Sequence, residues 1–228
     1  MIRHSTSPQL DLPGLPRGDI GGRETLAEGA VVLRGFALDA ADEIGRAVAD
    51  IAAAAPFRRM TTPGNRQMSV EMTNCGPLGW VSDPRGYRYS PVDPESGRPW
   101  PPMPAVIATL AARAAHEAGF PGFSPDACLI NRYAPGTKLS LHQDKDERDF
   151  TAPIVSVSLG VPATFLWGGL TRKETPVRVR LEHGDVVVWG GPARLRYHGV
   201  APLAEALHPF AGPYRINLTL RRARGQTP

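Results

Sequence analysis

The second half of the chain is divided into short segments that are rich in β-branched and aromatic residues and are separated by Gly or Pro turns. In chain order they read DACLINRYA, APIVSVSLG, ATFLWGG, VRVRLEHGD, DVVVWGG and YRINLTLRR. Segments of this composition are typical of β-strands, and their regular spacing indicates an antiparallel sandwich or barrel. The sequence therefore predicts a mainly β core over residues 121–222.

A helix is predicted ahead of this core. A short strand in GAVVLRGF, residues 29–36, is followed by Asp39, which is placed to cap the helix. The apolar residues Ile44, Val48 and Ile51 then recur at helical spacing and share one face. Such a face is expected to pack against the core.

The segment over residues 57–100 has a different character, with frequent Gly, Pro and Arg and scattered Trp, Tyr and Met. Its turn signals indicate loops and hairpins rather than a core.

A second helix is predicted over residues 103–118. Residues 1–24 are rich in Pro, Gly and Ser without a sustained period, which predicts a flexible leader. Residues 25–228 are expected to form a single domain.

Charge and cysteine content exclude several classes of protein. The formal net charge of +4 is compatible with a polyanionic partner but does not require one. The two cysteines, Cys75 and Cys128, lie far apart and form no CxxC pair, which argues against a disulfide framework or a cysteine metal cluster. No apolar run has the length of a membrane span, and the N-terminus lacks a secretory signal pattern. We therefore expect a cytoplasmic monomer without a membrane partner.

The stretch LSLHQDKDE places His142 and Asp144 two positions apart, directly after a strand-like run. On an extended segment two such side chains point to the same side. Two histidines and one carboxylate on one face of a metal are the ligand set of non-haem Fe(II) oxygenases. His198, in RLRYHGV, is the candidate third ligand. Taken alone, the pair also fits a solvated surface loop, and His198 fits a histidine satisfied within a core or turn.

A second pair with the same spacing occurs at His183 and Asp185. It lies in EHGD, between two strand-like runs, which predicts a hairpin turn in which Gly184 supplies the unusual backbone angle. We therefore assign the metal to the first pair rather than to this one.

The last strand-like segment alternates polar and apolar residues, and an exposed strand face could show the same pattern. Its polar face consists of Arg215, Asn217, Thr219 and Arg221. Guanidinium groups bind carboxylates through paired, charge-assisted hydrogen bonds, so this row suits a dicarboxylate. In LINRY, Asn131 and Tyr133 also share a face and could donate to the same acid. Together the two rows predict a cavity lined by polar side chains. An iron site that uses 2-oxoglutarate would need such a cavity.

Seven motifs in one order cover about residues 30–221. They are MTNCGPLGW, GYRYSPVDP, PDACLINRYAPGTKLSLHQDKDE, PIVSVSLG, LEHGDVVVWGG, YHGV and YRINLTLR. In these motifs the chain resembles the bacterial AlkB family of Fe(II)- and 2-oxoglutarate-dependent nucleic-acid dealkylation repair enzymes. The resemblance implies a mainly β fold with flanking helices: a double-stranded β-helix, or jelly roll, with an N-terminal helical support and a nucleotide-recognition lid over residues 57–100.

The same resemblance implies a role for each candidate residue. Iron would be bound by His142, Asp144 and His198. The cosubstrate 2-oxoglutarate would be bound by Asn131, Tyr133, Arg215, Asn217 and Arg221. The substrate nucleotide would be contacted by Trp80, Tyr87, Tyr89, Asp146 and Arg172. From the residues alone, Trp80 and Tyr87 could instead pack under a loop, and Asp146 could be an ordinary solvated acid.

The implied activity is oxidative demethylation of alkylated bases, such as N1-methyladenine and N3-methylcytosine, in single- or double-stranded DNA, with RNA as a further candidate substrate. It would use Fe(II), O2 and 2-oxoglutarate and release succinate, CO2 and formaldehyde. Two alternatives are the same oxygenase chemistry on a protein, lipid or small molecule, and a metal-free or zinc-bound jelly-roll binding module. Arg215 and Arg221 argue against the module, because it needs no cosubstrate clamp. The aromatic and basic lid favours a nucleic-acid substrate.

Overall fold

The computed structural model of the protein describes residues 21–224. Its strands are β1 (Arg23–Ala27), β2 (Ala30–Leu33), β3 (Glu71–Cys75), β4 (Gly79–Asp83), β5 (Gly86–Ser90), β6 (Ala127–Tyr133), β7 (Leu139–His142), β8 (Ile154–Gly160), β9 (Ala163–Trp167), β10 (Val177–Leu181), β11 (Val186–Trp189), β12 (His198–Val200) and β13 (Arg215–Arg221). Its helices are α1 (Ala41–Ala54) and α2 (Ala105–Glu117), with short 3-10 turns at Leu38–Ala40 and Gly191–Ala193.

Two antiparallel sheets form the body of the fold. The major sheet has seven strands in the order β1-β2-β11-β8-β13-β6-β3, and the minor sheet has four in the order β10-β9-β12-β7. Strands β4 and β5 form a separate two-stranded hairpin. The predicted mainly β, jelly-roll fold with flanking helices is confirmed. Among residues 21–224, no helix combines the length and the apolar character needed to cross a membrane.

The alternation of β13 divides its side chains between two environments. Leu218 and Leu220 are buried in the cluster that the major sheet forms with α1 and α2. The intervening residues, including Arg215 and Asn217, line a cavity on the other face of the sheet. Strand β11 behaves likewise, because Val188 packs on the helix side whereas its neighbours join the cluster that contains residues of both sheets. The polar row predicted from the sequence is therefore an interior surface.

The face of the major sheet that points away from the cavity packs against α1 and α2. Ile44 and Ile51 of α1 and Ile107 and Leu110 of α2 are buried in one cluster with the sheet. Full burial of such side chains stabilises the fold by roughly 1.5–3 kcal/mol each. The predicted cap at Asp39 is wrong: it lies within the 3-10 turn, and the residue before α1 makes no side-chain capping bond.

The predicted hairpin at EHGD is also wrong, although the turn exists. Strands β10 and β11 lie in different sheets, so the segment carries the chain from the minor to the major sheet. Gly184 has a φ of +88°, which favours glycine. The Asp185 carboxylate accepts hydrogen bonds from the Arg34 guanidinium and from the backbone N–H groups of Gly35 and Glu182. The Asp185 carboxylate thus holds the corner between β10 and β11 in place.

Two of the predicted segment boundaries differ from the element bounds. Strand β1 begins at Arg23, so the last two residues of the predicted leader pair with β2, while residues 1–20 lie outside the described part of the chain. Within the predicted lid, residues 71–75 form β3, which pairs with β6 at one edge of the major sheet. The hairpin that stands apart from both sheets is β4–β5, which we call the recognition hairpin.

Candidate active site

Three potential metal ligands meet at one end of the minor sheet. His142 ends β7, Asp144 follows two residues later, and His198 begins β12. The two histidines are direct cross-strand neighbours, with ring centroids 4.4 Å apart. Carboxylate oxygens of Asp144 lie 3.7 Å from Nε2 of His142 and 3.8 Å from Nε2 of His198. Within residues 21–224, no other group of three His, Cys, Asp or Glu residues is close enough to hold a metal ion.

A glycine allows these strands to approach. Gly199 follows His198 in β12, and a Cβ atom at this position would lie 2.6 Å from the backbone oxygen of Leu139 in β7. Contacts under about 3 Å force the backbone to move. The His-Gly pair in YHGV is therefore needed to hold His198 opposite His142.

Backbone carbonyls fix the protonation of both imidazoles. The Nδ1 atom of His142 lies 2.9 Å from the backbone oxygen of Ser140, and that of His198 lies 3.1 Å from the backbone oxygen of Arg196. Because a carbonyl oxygen can only accept, each Nδ1 carries a proton, so that in the neutral ring Nε2 is the atom with a lone pair for a metal. Partners of this kind orient metal-bound histidines. The donor set fits Fe(II), since His142, Asp144 and His198 would offer it two imidazoles and one carboxylate, the ligand set of non-haem iron oxygenases.

The charges in the site keep these ligands in their metal-binding forms. Burial, together with the proximity of His142, lowers the pKa of His198 to about 3, so its imidazole is neutral at physiological pH. Burial raises the pKa of Asp144, but the Arg221 guanidinium outweighs this effect and holds it well below its ordinary value. The site therefore presents an ionised carboxylate and a neutral histidine without any rearrangement of protons.

Next to this triad lies a buried guanidinium with unsatisfied donors. Arg215 is 2% exposed, and its Nη2 donates to Ser158 Oγ at 2.9 Å. Its Nε and Nη1 atoms have no hydrogen-bond partner within the described chain, and neither do Asn131 Oδ1 and the Tyr133 hydroxyl. Burial lowers the pKa of Arg215 below its ordinary value. Leaving the Arg215 donors and the Tyr133 hydroxyl unpaired is costly, and a bound carboxylate would accept from them, so this cradle fits 2-oxoglutarate; Asn131 Oδ1 is an acceptor and needs a donor instead.

The other two residues predicted to bind the cosubstrate already have protein partners. Asn217 donates from Nδ2 to Ser156 Oγ at 2.8 Å and to the backbone oxygen of Val157 at 2.9 Å. Arg221 donates to the Asp144 carboxylate. Both line the same cavity as Arg215 and the triad. The donors of Asn217, however, bind β8, and those of Arg221 bind the metal ligand Asp144.

The recognition hairpin forms one wall of this cavity, which has a volume of about 640 Å³. The Trp80 and Tyr87 rings are stacked, with centroids 5.5 Å apart and planes inclined by 14°. The Trp80 indole N–H donates to Asp146 Oδ2 at 2.8 Å, which ties the hairpin to the loop after β7. Asn74 binds the backbone N–H and carbonyl of Trp80, each at 3.0 Å. The stacked pair is thus held in a fixed orientation at the cavity.

Two predicted substrate contacts lie elsewhere. The Tyr89 hydroxyl donates to Glu147 Oε1 at 2.6 Å, and Tyr89 is not among the residues that line the cavity. Arg172 lies exposed in the loop after β9 and also does not line the cavity. Trp80, Tyr87 and Asp146 do line it. The structure therefore brings together three of the five residues predicted to contact the nucleotide.

Sequence reasoning missed two buried residues beside the triad, Glu147 and Arg194. Glu147 stands three positions after Asp144, within the stretch that carries the metal motif, and this proximity was the signal available in the sequence. Arg194 precedes His198 by four positions, but nothing local in GPARLRYH distinguishes it from a surface arginine. Their contact, 3.0 Å between Arg194 Nη2 and Glu147 Oε2, joins positions 47 residues apart and becomes visible only in the fold.

Comparison with known proteins agrees with this geometry. The profile of the 2OG-Fe(II) oxygenase superfamily matches residues 29–221. The alpha-ketoglutarate-dependent dioxygenase AlkB of Escherichia coli strain K12 is 59% identical over 201 residues, which make up 88% of this chain and 93% of that protein. The chain belongs to the AlkB family of 2OG-Fe(II) oxygenases.

Two further relatives, both named as ALKBH1 proteins, extend the comparison. The structure of OsALKBH1 matches with a TM-score of 0.78 at 30% identity and covers 88% of this chain and 100% of that chain. The DNA N(6)-methyladenine demethylase ALKBH1C of Arabidopsis thaliana is 32% identical over 186 residues, 70% of this chain and 41% of that protein. The predicted family, dioxygenase class and cofactors Fe(II), O2 and 2-oxoglutarate are confirmed, which excludes the binding-module alternative.

Proposed function

We propose that this AlkB-family protein reverses alkylation damage in DNA by oxidative demethylation of bases such as N1-methyladenine and N3-methylcytosine. One observation carries the choice of a nucleic-acid substrate. The stacked Trp80 and Tyr87 rings line the same cavity as the His142, Asp144 and His198 triad. A planar, π-stacking surface directed at an oxidising centre suits a nucleobase better than an aliphatic or peptide substrate.

The site residues have distinct tasks in this proposal. His142, Asp144 and His198 bind iron, and Arg215 with Tyr133 and Asn131 binds 2-oxoglutarate. When bound with O2, these cofactors supply the oxidation of an N-methyl group to an N-hydroxymethyl group, which then releases formaldehyde. The protein holds the methyl group at the reacting position and excludes water from the cavity. Succinate and CO2 are the expected products of the cosubstrate.

The position of the lesion demands an unpaired base. The methyl groups of N1-methyladenine and N3-methylcytosine lie on the Watson–Crick edge, which a duplex covers. The base must be single-stranded or flipped, and stacking on Trp80 and Tyr87 would contribute roughly 1–3 kcal/mol per base. Both methylated bases are cationic, and the Asp146 carboxylate, oriented by Trp80, complements that charge. We keep Arg172 as a candidate phosphate contact outside the cavity.

The test is a panel of oligonucleotides of one sequence. Each strand carries one N1-methyladenine, N3-methylcytosine or N6-methyladenine, as DNA or RNA, single-stranded or paired. We expect a loss of about 14 Da, the mass of CH2, together with formaldehyde, and no loss with His142→Ala. Succinate formation by the wild type without mass loss from any strand would instead favour a protein, lipid or small-molecule substrate.

Light scattering of the same sample tests the predicted monomer.

A further inference from the structure

The irregular loop over residues 143–153 carries three acidic residues of the site: Asp144, Asp146 and Glu147. It joins β7 to β8 and contains no helix or strand in the described chain. Loops without regular hydrogen bonding open at low free energy unless other groups hold them. A metal ligand, however, must stay within about 0.5 Å of its working position. The loop therefore needs an external anchor.

One buried guanidinium supplies that anchor. Arg194 is 3% exposed, and it donates from Nη1 to the backbone oxygen of Asp144 at 2.8 Å, from Nη2 to Glu147 Oε2 at 3.0 Å and from Nε to the backbone oxygen of Ala152 at 3.1 Å. Its guanidinium also lies 5.4 Å from the Phe150 ring centroid. A planar fork with several fixed donors can bind three parts of one loop at once, which a lysine cannot do.

Glu147 closes the arrangement into a circuit of alternating charges. Its Oε1 lies 3.4 Å from Arg221 Nε, and its Oε2 accepts from Arg194. Arg221 in turn donates to Asp144 Oδ2, and Arg194 binds the backbone of Asp144. Two buried cations and two buried anions thus compensate one another, as buried charges require. A displacement of any member would change the forces on the metal ligand.

The recognition hairpin is attached to the same circuit. Tyr89 lies on β5, and its hydroxyl donates to Glu147 Oε1 at 2.6 Å. Trp80 and Tyr87, which line the cavity, stand on the same hairpin. The stacking surface is therefore linked to the loop that carries the iron ligand at two points, through Glu147 and through the bond between Trp80 and Asp146.

We propose that Arg194 and Glu147 are positioning residues, which hold the metal ligand Asp144 in place and anchor the recognition hairpin to it. The hairpin half of this proposal rests on the proposed function, whereas the metal half rests only on the iron site. Glu147 itself is not a substrate contact, because it is 5% exposed, does not line the cavity and has both oxygens bound by protein donors.

The metal half is tested with the apoprotein and Mn(II), without turnover. Changes at residues that support metal ligands typically weaken metal affinity by about 10–100-fold. We expect a loss in that range for Arg194→Lys when Mn(II) binding is followed by calorimetry, because lysine cannot bind Asp144, Glu147 and Ala152 together. Wild-type Mn(II) affinity in Arg194→Lys would overturn the proposal.

A matched control separates positioning from general stability. Arg34 is 6% exposed and pairs with the buried Asp185 at 2.7 Å, in the corner between β10 and β11 rather than in the cavity. Arg34→Lys therefore perturbs a buried arginine of similar connectivity. We expect a lower melting temperature but unchanged Mn(II) affinity. An equal loss of Mn(II) affinity in both lysine variants would show that stability alone is responsible, and the proposal would fail.

The hairpin half is tested with Tyr89→Phe, which removes one hydroxyl and is expected to fold. We expect faster amide hydrogen exchange over residues 79–90 and a higher KM for a methylated oligonucleotide, with kcat little changed. Unchanged exchange in the hairpin would refute the link through Glu147, whatever the substrate. If the wild type acts on none of the oligonucleotides, the proposed function fails, while the Mn(II) and exchange measurements still decide the roles of Arg194 and Glu147.

Discussion

Arg221 binds a single carboxylate oxygen of Asp144 with two donors, Nε at 2.8 Å and Nη2 at 2.7 Å. The guanidinium stands at the end of β13, on the same face as Arg215, so one strand supplies both the group that fits the cosubstrate and the group that holds an iron ligand. Burial lowers the pKa of Arg221, but Asp144, Tyr89 and Glu147 raise it above its ordinary value. This arginine is therefore charged at physiological pH.

Replacement of Arg221 by methionine should therefore be severe. It leaves the Asp144 carboxylate buried without its arginine partner, whereas Glu147 keeps Arg194, and the loss of one member of a buried pair costs about 3–5 kcal/mol. We expect a decrease of that size in the free energy of unfolding of the apoprotein, measured by urea denaturation. Because Mn(II) would supply part of the missing positive charge, saturating Mn(II) should recover part of this loss. An unchanged urea midpoint would contradict the assigned role.

Arg215→Met should have the opposite effect on the apoprotein. Arg215 is buried with two unpaired donors, so a methionine of similar length removes a desolvated charge and is expected to raise the melting temperature. The same variant should lose the stabilisation that 2-oxoglutarate gives the wild type, because ligand binding to the folded state is what raises stability. Thermal unfolding with and without 2-oxoglutarate measures both effects.

The control for this prediction is binding of a methylated oligonucleotide, which Arg215→Met should weaken far less than 2-oxoglutarate binding. Equal loss of both ligands would show that the substitution had disturbed the whole cavity. Retained stabilisation by 2-oxoglutarate would remove Arg215 from the cosubstrate site.

Local sequence patterns were sufficient for much of the site. The alternation of β13 predicted which residues share the face with Arg215, because strand geometry is periodic. The His142–Asp144 spacing suggested a metal pair but also fitted a surface loop, and the resemblance to the AlkB family decided between them. An antiparallel β sandwich or barrel was likewise visible in the spacing of short strands, and the resemblance to the AlkB family specified a jelly roll. These features depend on neighbouring positions, which the sequence displays directly.

Long-range pairing was not visible in the same way. The EHGD turn has the composition of a hairpin, yet its strands enter different sheets, and only the partners of β10 and β11 decide this. The resemblance to the AlkB family gave Tyr89 the same substrate role as Tyr87, but a buried carboxylate 58 positions away binds its hydroxyl. Turn chemistry and alternation are local properties, whereas the choice of partner depends on the whole fold.

Trp80 combines a stacking surface with a hydrogen bond, and two substitutions separate them. Trp80→Phe keeps an aromatic face but removes the indole donor to Asp146, whereas Trp80→Ala removes both. We expect a small rise in the apparent KM for a methylated oligonucleotide with phenylalanine and a rise of about 10-fold or more with alanine, since stacking contributes roughly 1–3 kcal/mol per base. Uncoupled 2-oxoglutarate turnover should stay intact in both. Equal KM values for all three proteins would exclude the stacking role.

His183 should make the stability of the fold depend on pH. Burial, with the nearby His208, lowers its pKa from 6.5 to about 4, while Asp42 acts in the opposite direction. Its Nδ1 atom accepts the Gly160 N–H at 2.9 Å, which only the neutral ring can do. The unfolded chain therefore binds more protons than the folded chain between these two pH values. The contribution of His183 is fully present above pH 6.5 and is lost progressively as the pH falls towards 4.

An asparagine at position 183 tests this assignment, because its side-chain oxygen can accept the same N–H but does not titrate. Burial also lowers the pKa of His208, so we expect His183→Asn to reduce the dependence rather than to abolish it. Urea unfolding from pH 7.5 to 4.5, a range chosen to span the ordinary histidine pKa of about 6.5, should give a shallower loss of stability for the variant. Identical slopes for the two proteins would show that His183 is already protonated in the fold or does not bind Gly160, since a neutral, bonded imidazole must contribute.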